Sequence, residues 1–173
     1  MVTDGEFRSL MAGVCAPVTV VTTADDAGPA GATVSSFASL SLRPPLVSVA
    51  FDRGSRLLGR IQQSGRFGVN ILAHDQDDAA VRFARRGTDR FGSVRWAPDH
   101  GLPRLAGAAG WAVCELYQDV EAGDHRLLFG LVTHADRSDI PPLVVAMSTF
   151  GTHSRFAVRS PRPITDQIAA FTR

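Results

Sequence analysis

Residues 46–52 (LVSVAFD) alternate between apolar and small or polar side chains, and no other feature of the sequence constrains the fold as strongly. Because successive side chains of a β-strand point to opposite faces, Val47, Val49 and Phe51 share one face of a predicted strand. The residues between them share the other face, which is not predicted to be buried in the core. The segment therefore predicts a strand with one buried face and one face available to a ligand.

Much of the remaining chain also has the pattern of short strands separated by turns. Strands are predicted at 18–23, 66–72, 111–121, 126–135 and 142–149, and residues 25–31 (DDAGPAG) are predicted to form the turn of a hairpin. A doubly wound parallel sheet would need regular alternation of strands and helices, which this sequence lacks. We therefore predict a mainly β fold, a closed or nearly closed antiparallel barrel with a few short flanking helices.

Three short helices are predicted to flank this barrel. Thr3 and Glu6 have the spacing of a capping box, so the first helix is expected to follow Thr3 and to end near Cys15. A second helix is predicted over 55–64. A third is expected to use Asp75 as its N-cap.

The length of 173 residues favours one domain with its own core. We assign this domain to residues 1–160 and regard 161–173 as a C-terminal tail with the pattern of a short helix. Residues 86–110, rich in Gly, Pro and charge, are expected to form a long surface excursion. No apolar stretch reaches the roughly 18 residues of a membrane span, and the N-terminus lacks a signal-peptide pattern. The expectation is a cytoplasmic protein that does not contact a membrane.

Charge and cysteine content exclude several kinds of chemistry. The net charge of +1 gives no reason to expect nucleic acid as a partner. All 18 basic residues are arginine, which rules out a lysine Schiff base and a phosphate-loop lysine. An anion would therefore be held by arginine, hydroxyl or backbone N–H groups. Cys15 and Cys114 lie far apart in the sequence, so we predict two buried thiols and no metal site.

Three segments carry residue types that suit a ligand, and each also has an ordinary structural interpretation. The hydroxyls of Thr33–Ser36 can hold a phosphate together with backbone N–H groups, or can belong to a solvated strand. The junction at 50–55, where Ser55 can cap the next helix, can bind an anion or be a simple turn. His125, in Gly-Asp-His, can donate a hydrogen bond and titrate near neutral pH, or have no role.

The order of these segments resembles the flavin reductase-like family, the short-chain NAD(P)H:flavin oxidoreductases that partner two-component monooxygenases. The resemblance covers about residues 7–151. It rests on 18–23 (VTVVTT), Ser35–Phe37 through Pro44–Val47, 67–72 (FGVNIL), Gln76 with Phe83–Ala84, and Gly123–His125 with Gly130 and Val132. One departure follows the last strand, where relatives carry aromatic-Gly-aromatic and this chain has Phe150-Gly151-Thr152.

The resemblance implies a fold and a site. The fold would be an FMN-binding split barrel that forms a homodimer. Flavin, FMN or FAD, would be bound by Thr33, Val34, Ser35, Ser36, Ala50, Phe51, Asp52, Ser55 and His125, with Phe51 contributing its backbone. His125 would also be the catalytic residue, beside the nicotinamide of NADH or NADPH. Arg53, Arg56 or Arg85 would lie near the flavin phosphate.

The implied function is NAD(P)H-dependent reduction of flavin, with hydride passing from nicotinamide C4 to flavin N5, and delivery of reduced flavin to a partner monooxygenase. Two alternatives stay open at this point. One is a flavoprotein oxidoreductase that retains its flavin and acts on an organic substrate. The other is a non-catalytic flavin-binding barrel.

Overall fold

The computed structural model describes residues 1–85, 87 and 89–152, so the predicted tail at 161–173 lies outside the described residues. The strands are β1 (Ala16–Pro17), β2 (Thr19–Asp25), β3 (Gly28–Val34), β4 (Ala38–Leu42), β5 (Pro45–Asp52), β6 (Arg66–Ile71), β7 (Trp96–Asp99), β8 (Leu102–Leu105), β9 (Gly110–Ala122), β10 (His125–Arg137), β11 (Leu143–Ala146) and β12 (Thr149–Thr152). The helices are α1 (Asp4–Ala12), α2 (Arg56–Ser64) and α3 (Asp77–Ala84).

Seven of the strands form one antiparallel sheet in the order β3-β2-β6-β9-β10-β5-β4. Its two edge strands, β3 and β4, do not pair with each other, so the sheet is a split barrel rather than a closed one. A smaller sheet, β1-β11-β12, and the hairpin β7-β8 complete the described strands. The predicted mainly β split-barrel fold is confirmed.

The alternation in β5 produces the burial that it predicts. Val47, Val49 and Phe51 are buried, whereas Ala50 is half-buried and Asp52 is exposed. The buried face joins a core that β2, β3, β6, β9 and β10 also supply, and the apolar face of α2 packs into the same core. Each large apolar side chain buried in this way contributes about 1.5–3 kcal/mol to folding. The strand is thereby fixed in register while its other face stays accessible.

A second apolar cluster joins α3 to the barrel. Phe83 of α3 is fully buried and packs with Val18, Leu72, Leu105 and Leu143. Phe83 also lies against β3, since a Cβ added to Gly31 would be 3.0 Å from its ring. This packing therefore fixes the position of the segment that follows α3.

The prediction of 86–110 as a surface excursion is wrong for its second half. Residues of this segment form β7 and β8, and Leu102 and Leu105 are buried. The side chain of the fully buried Asn70 accepts from the Leu105 N–H (2.7 Å) and donates to the Pro103 carbonyl (3.3 Å). The hairpin is held by a polar side chain more than 30 residues away in sequence, a contact that local composition does not reveal.

Three local predictions about the first half of the chain need correction. Gln76, not Asp75, occupies the N-cap of α3, and no side chain caps that helix. Cys15 is exposed, whereas Cys114 is buried as predicted. The hairpin turn is shorter than 25–31, because β3 already begins at Gly28.

The ends of the described chain agree with the sequence in part. The Thr3–Glu6 capping box is present, with the Glu6 N–H donating to Thr3 Oγ1 (3.3 Å), and α1 ends at Ala12. The strand predicted at 142–149 is two shorter strands, because Met147 and Ser148 have positive φ and turn the chain. None of the helices in the described ranges is both long and apolar enough to cross a membrane.

Candidate functional site

A groove of about 1280 Å³ opens where the barrel is split. Its walls come from four places: β3 with the segment that follows it, the end of β5 with α2, the end of α3 with the segment that follows it, and the start of β10. Because β3 is an edge strand, part of its backbone has no partner within the sheet and can bind a ligand instead. The groove is therefore bordered by free backbone, hydroxyl groups and arginines.

The residues that the sequence singled out lie together on the walls of this groove. All nine line it: Thr33, Val34, Ser35, Ser36, Ala50, Phe51, Asp52, Ser55 and His125. They come from segments up to about 90 positions apart in sequence. The fold brings the three separate constellations into one site.

Some hydroxyl groups of the groove are hydrogen-bonded within the protein, and others are left for a ligand. Ser36 Oγ accepts from the Ala50 N–H (2.9 Å) and donates to the Ala50 carbonyl (3.1 Å), which ties the segment after β3 to β5. Thr33 Oγ1 donates to the Ala80 carbonyl (2.6 Å), which ties β3 to α3. These two hydroxyls hold the walls together, and they have less capacity left for a ligand than Ser35.

The turn between β5 and α2 is held by Asp52 and presents the Ser55 hydroxyl at the same wall. Asp52 Oδ1 accepts from the Gly54 N–H (2.7 Å), and the Asp52 carbonyl accepts from the Ser55 N–H (2.9 Å). Ser55 is the N-cap of α2, its Oγ accepting from the Leu58 N–H (3.4 Å). The Ser55 O–H therefore keeps its proton to donate, beside the positive end of a helix dipole.

His125 enters the groove as the first residue of β10, directly opposite Asp52 on β5. Its Nδ1 lies 2.7 Å from Asp124 Oδ1, and its side chain is 44% exposed. This hydrogen bond lowers the pKa of Asp124 below its ordinary value. With Nδ1 engaged by Asp124, Nε2 is the ring nitrogen that remains for a ligand.

The arginines of the groove are only partly those that the sequence suggested. Arg56, Arg60 and Arg90 line it. Arg53 instead lies 3.7 Å from Glu121, and Arg85 does not line the groove.

Arg60 and Arg90 were not predicted as site residues, because neither lies next to a recognisable motif. Arg60 lies within α2, one turn beyond the cap, so helical periodicity alone could have placed it on the side of Arg56. Arg90 follows α3, and no local pattern marks it.

Solved structures with the same fold include flavin reductases. The Streptomyces globisporus C-1027 NADH:FAD oxidoreductase SgcE6, in complex with NAD and FAD fragments, aligns with a TM-score of 0.84 and 30% identity, covering 88% of this chain and 94% of that one. The flavin reductase PheA2 aligns with a TM-score of 0.81 and 32% identity over 88% of this chain and 99% of that one. The class of the molecule is thus a flavin reductase-type split barrel.

Sequence relatives agree with that class. The Flavin reductase like domain matches residues 11–154, so this chain belongs to the flavin reductase-like family. The reductase subunit HsaB of a flavin-dependent monooxygenase of Rhodococcus jostii is 36% identical, over 95% of this chain and 85% of its own. The FMN reductase (NADH) SmoA of Agrobacterium fabrum is 35% identical, over 86% of each. The predicted family and oxidoreductase class are confirmed, and the predicted cofactor classes agree with these relatives.

Proposed function

We propose that this protein reduces flavin with NADH or NADPH and delivers the reduced flavin to a partner monooxygenase. The observation that carries the proposal is the convergence of nine residues, chosen from sequence, on one groove at the open edge of a flavin reductase-like barrel. Relatives named as reductase subunits of monooxygenases support the partner. Relatives named for FMN, FAD and NADH support the cofactor classes.

The residues of the groove fit a flat ligand with a phosphate-bearing chain. Ala50 and the backbone of Phe51 and Asp52 offer a flat wall of strand edge for the ring system. Ser55, at the N-terminus of α2, offers a hydroxyl and helix N–H groups for a phosphate, with Arg56 one position further on. Ser35 adds a second hydroxyl on the facing wall.

In this proposal the protein contributes binding, alignment and electrostatics. Bound flavin supplies the hydride-accepting N5 and the nicotinamide supplies the hydride. Holding both in one groove removes the entropic cost of their encounter, which is the larger part of the rate enhancement. Backbone N–H groups that line the groove would stabilise negative charge that develops on the ring system. His125, oriented by Asp124, would align the nicotinamide through Nε2 rather than act as an essential base.

A spectrophotometric assay tests the function. NADH and NADPH oxidation is followed at 340 nm with riboflavin, FMN and FAD as acceptors, and flavin bleaching is followed without oxygen. Turnover of free flavin by at least one nicotinamide supports the proposal. Flavin that stays bound after purification, with poor turnover of added flavin, would favour an enzyme that retains its cofactor. Flavin binding without bleaching by either nicotinamide would favour a non-catalytic barrel, and no flavin binding would refute all three possibilities.

His125→Ala tests the role of the histidine separately. If His125 aligns the nicotinamide, the variant should reduce flavin more slowly and should bind flavin with nearly unchanged affinity. Single-turnover reduction measured by stopped flow, next to flavin titrations, separates these two effects. Reduction at the wild-type rate would remove His125 from the mechanism.

A homodimer is part of the proposal. The exposed side of α1 carries Phe7, Leu10 and Met11, and the Met147 N–H donates to the Ala12 carbonyl, which brings a further exposed apolar side chain next to the helix. An apolar surface of this kind is typical of a subunit interface. Sedimentation velocity of the purified chain tests it, with a mass near 37 kDa expected, twice about 18.5 kDa.

A further inference from the structure

Arg90 is held at the wall of the groove by carbonyl groups alone. Its Nη2 and Nε donate to the Arg85 carbonyl (2.6 and 3.0 Å), and its Nη1 donates to the Gly31 carbonyl of β3. Three of the five N–H donors of the guanidinium are thereby used, and two remain. Its planar group is fixed before any ligand arrives.

The charge of Arg90, unlike that of Arg60 on the same groove, is not paired with a carboxylate of the described residues. Arg60 forms an ion pair with Asp25, whose pKa it lowers. In contrast, no carboxylate of the described ranges forms an ion pair with Arg90. The nearby Asp89 lines the groove, but its Oδ1 accepts from the Phe91 and Gly92 N–H groups.

Burial makes this lack of a counter-charge costly. The Arg90 side chain is half-buried, and desolvation lowers its pKa. Because a guanidinium stays protonated in proteins, Arg90 remains charged although part of its hydration is lost, and this is unfavourable. An anion in the groove would relieve it, and the fixed plane would lose little conformational entropy on binding.

We propose that Arg90 binds a phosphate group of a nucleotide in the groove. The assignment rests on the proposed function for the identity of the nucleotide, and on the contacts of Arg90 for the residue. It replaces Arg53 and Arg85 as candidates, because Arg53 pairs with Glu121 and neither lines the groove. The phosphate is borne either by the flavin or by the nicotinamide dinucleotide, and the two sources give different results.

The test compares Arg90→Gln with Arg85→Gln in the full chain. The control, Arg85→Gln, also removes one positive charge, but from a residue that does not line the groove. It keeps the Arg85 backbone carbonyl that Arg90 contacts. Dissociation constants are measured for riboflavin, FMN and FAD by flavin fluorescence, and KM values for NADH and NADPH by turnover. Riboflavin has no phosphate and reports whether the groove is intact.

A flavin-borne phosphate predicts that Arg90→Gln weakens FMN and FAD by about tenfold or more while riboflavin stays within about twofold. A phosphate on the nicotinamide dinucleotide predicts unchanged flavin affinity and a KM raised by about tenfold. Equal losses for riboflavin and FMN, or losses no larger than those of Arg85→Gln, would overturn the assignment.

A second variant covers the case in which Arg90→Gln does not fold. Arg90→Lys keeps the charge but not the planar guanidinium. It should weaken the affinity for the phosphate-bearing ligand by about threefold or more and leave the affinity for riboflavin unchanged. An unchanged affinity for FMN together with unchanged KM values for NADH and NADPH would count against Arg90. A wild-type protein that binds no flavin would refute the proposed function and the assignment together. A wild-type protein that reduces flavin, with an Arg90→Gln variant like the control, would refute the assignment alone.

Discussion

Ser35 and Ser36 are adjacent, both line the groove, and they should respond to substitution in opposite ways. Ser36→Ala removes two hydrogen bonds, to the N–H and to the carbonyl of Ala50. A hydrogen bond contributes about 0.5–1.5 kcal/mol net, and the low end applies here because Ser36 is exposed and water can replace it. We therefore expect the free energy of unfolding to fall by about 1 kcal/mol.

Ser35→Ala removes a hydroxyl for which the described part of the chain supplies no hydrogen-bond partner. Its effect on stability should stay within about 0.5 kcal/mol, as for other exposed positions. If Ser35 binds flavin, losing one hydrogen bond to the ligand should weaken flavin affinity by about threefold to tenfold.

Urea denaturation without flavin and flavin titration by fluorescence measure the two effects separately. A loss of about 1 kcal/mol corresponds to a melting temperature lower by about 2–4 °C, which thermal denaturation detects. The reasoning fails if Ser36→Ala is as stable as the wild type. It also fails if Ser35→Ala destabilises the protein more than Ser36→Ala does.

Three further substitutions and one measurement on Cys114 test the packing of the fold. In Gly130→Ala the new Cβ would lie 2.4 Å from Phe67 Cζ, so the free energy of unfolding, measured by urea denaturation, should fall by about 1–3 kcal/mol. Gly59 lies in α2 with open space around it, so Gly59→Ala should raise the free energy of unfolding by about 0.5–1 kcal/mol. Asn70→Ala leaves the buried Leu105 N–H of β8 unpaired and should lower the free energy of unfolding by about 2–3 kcal/mol. A loss below about 1 kcal/mol would show that the Asn70 side chain does not hold the β7-β8 hairpin. Burial raises the pKa of Cys114 to about 12, so its thiol should react with a thiol reagent at pH 8 only after unfolding, and stability should fall as pH rises above about 9 because the unfolded chain ionises first.

The sequence predicted the strands well because their evidence is local. The alternation of 46–52 specifies which face of β5 is buried, and the β-branched run at 18–23 specifies β2. The second half of 86–110 could not be predicted in this way. Its two strands depend on the side chain of Asn70, which contacts the hairpin from a distant strand, and its Gly and Pro content is the same whether or not that contact exists.

The site was predicted in a similarly uneven way. Segment order located nine lining residues, because the resemblance concerns motifs at strand ends. It gave no information about Arg90, which follows α3 and contacts the Gly31 carbonyl of β3, beside Phe83. Nor did it distinguish Ser36 from Ser35, since that difference appears only when the Ala50 backbone is in place.

The hydrogen bonds within the groove also bear on how tightly a ligand would be held. The hydroxyls of Thr33 and Ser36 are hydrogen-bonded within the protein, so the free side-chain donors on the walls include Ser35, Ser55, Arg56 and the two remaining N–H groups of Arg90. A rigid frame whose hydroxyls are partly engaged within the protein can align a ring system without binding it very tightly. An enzyme that passes reduced flavin to a second protein needs this combination, because strong binding of the product would slow its release. We therefore expect the dissociation constant for flavin to be micromolar in order of magnitude rather than nanomolar, so that flavin is lost on gel filtration; purification with stoichiometric flavin would contradict this and favour an enzyme that keeps its cofactor.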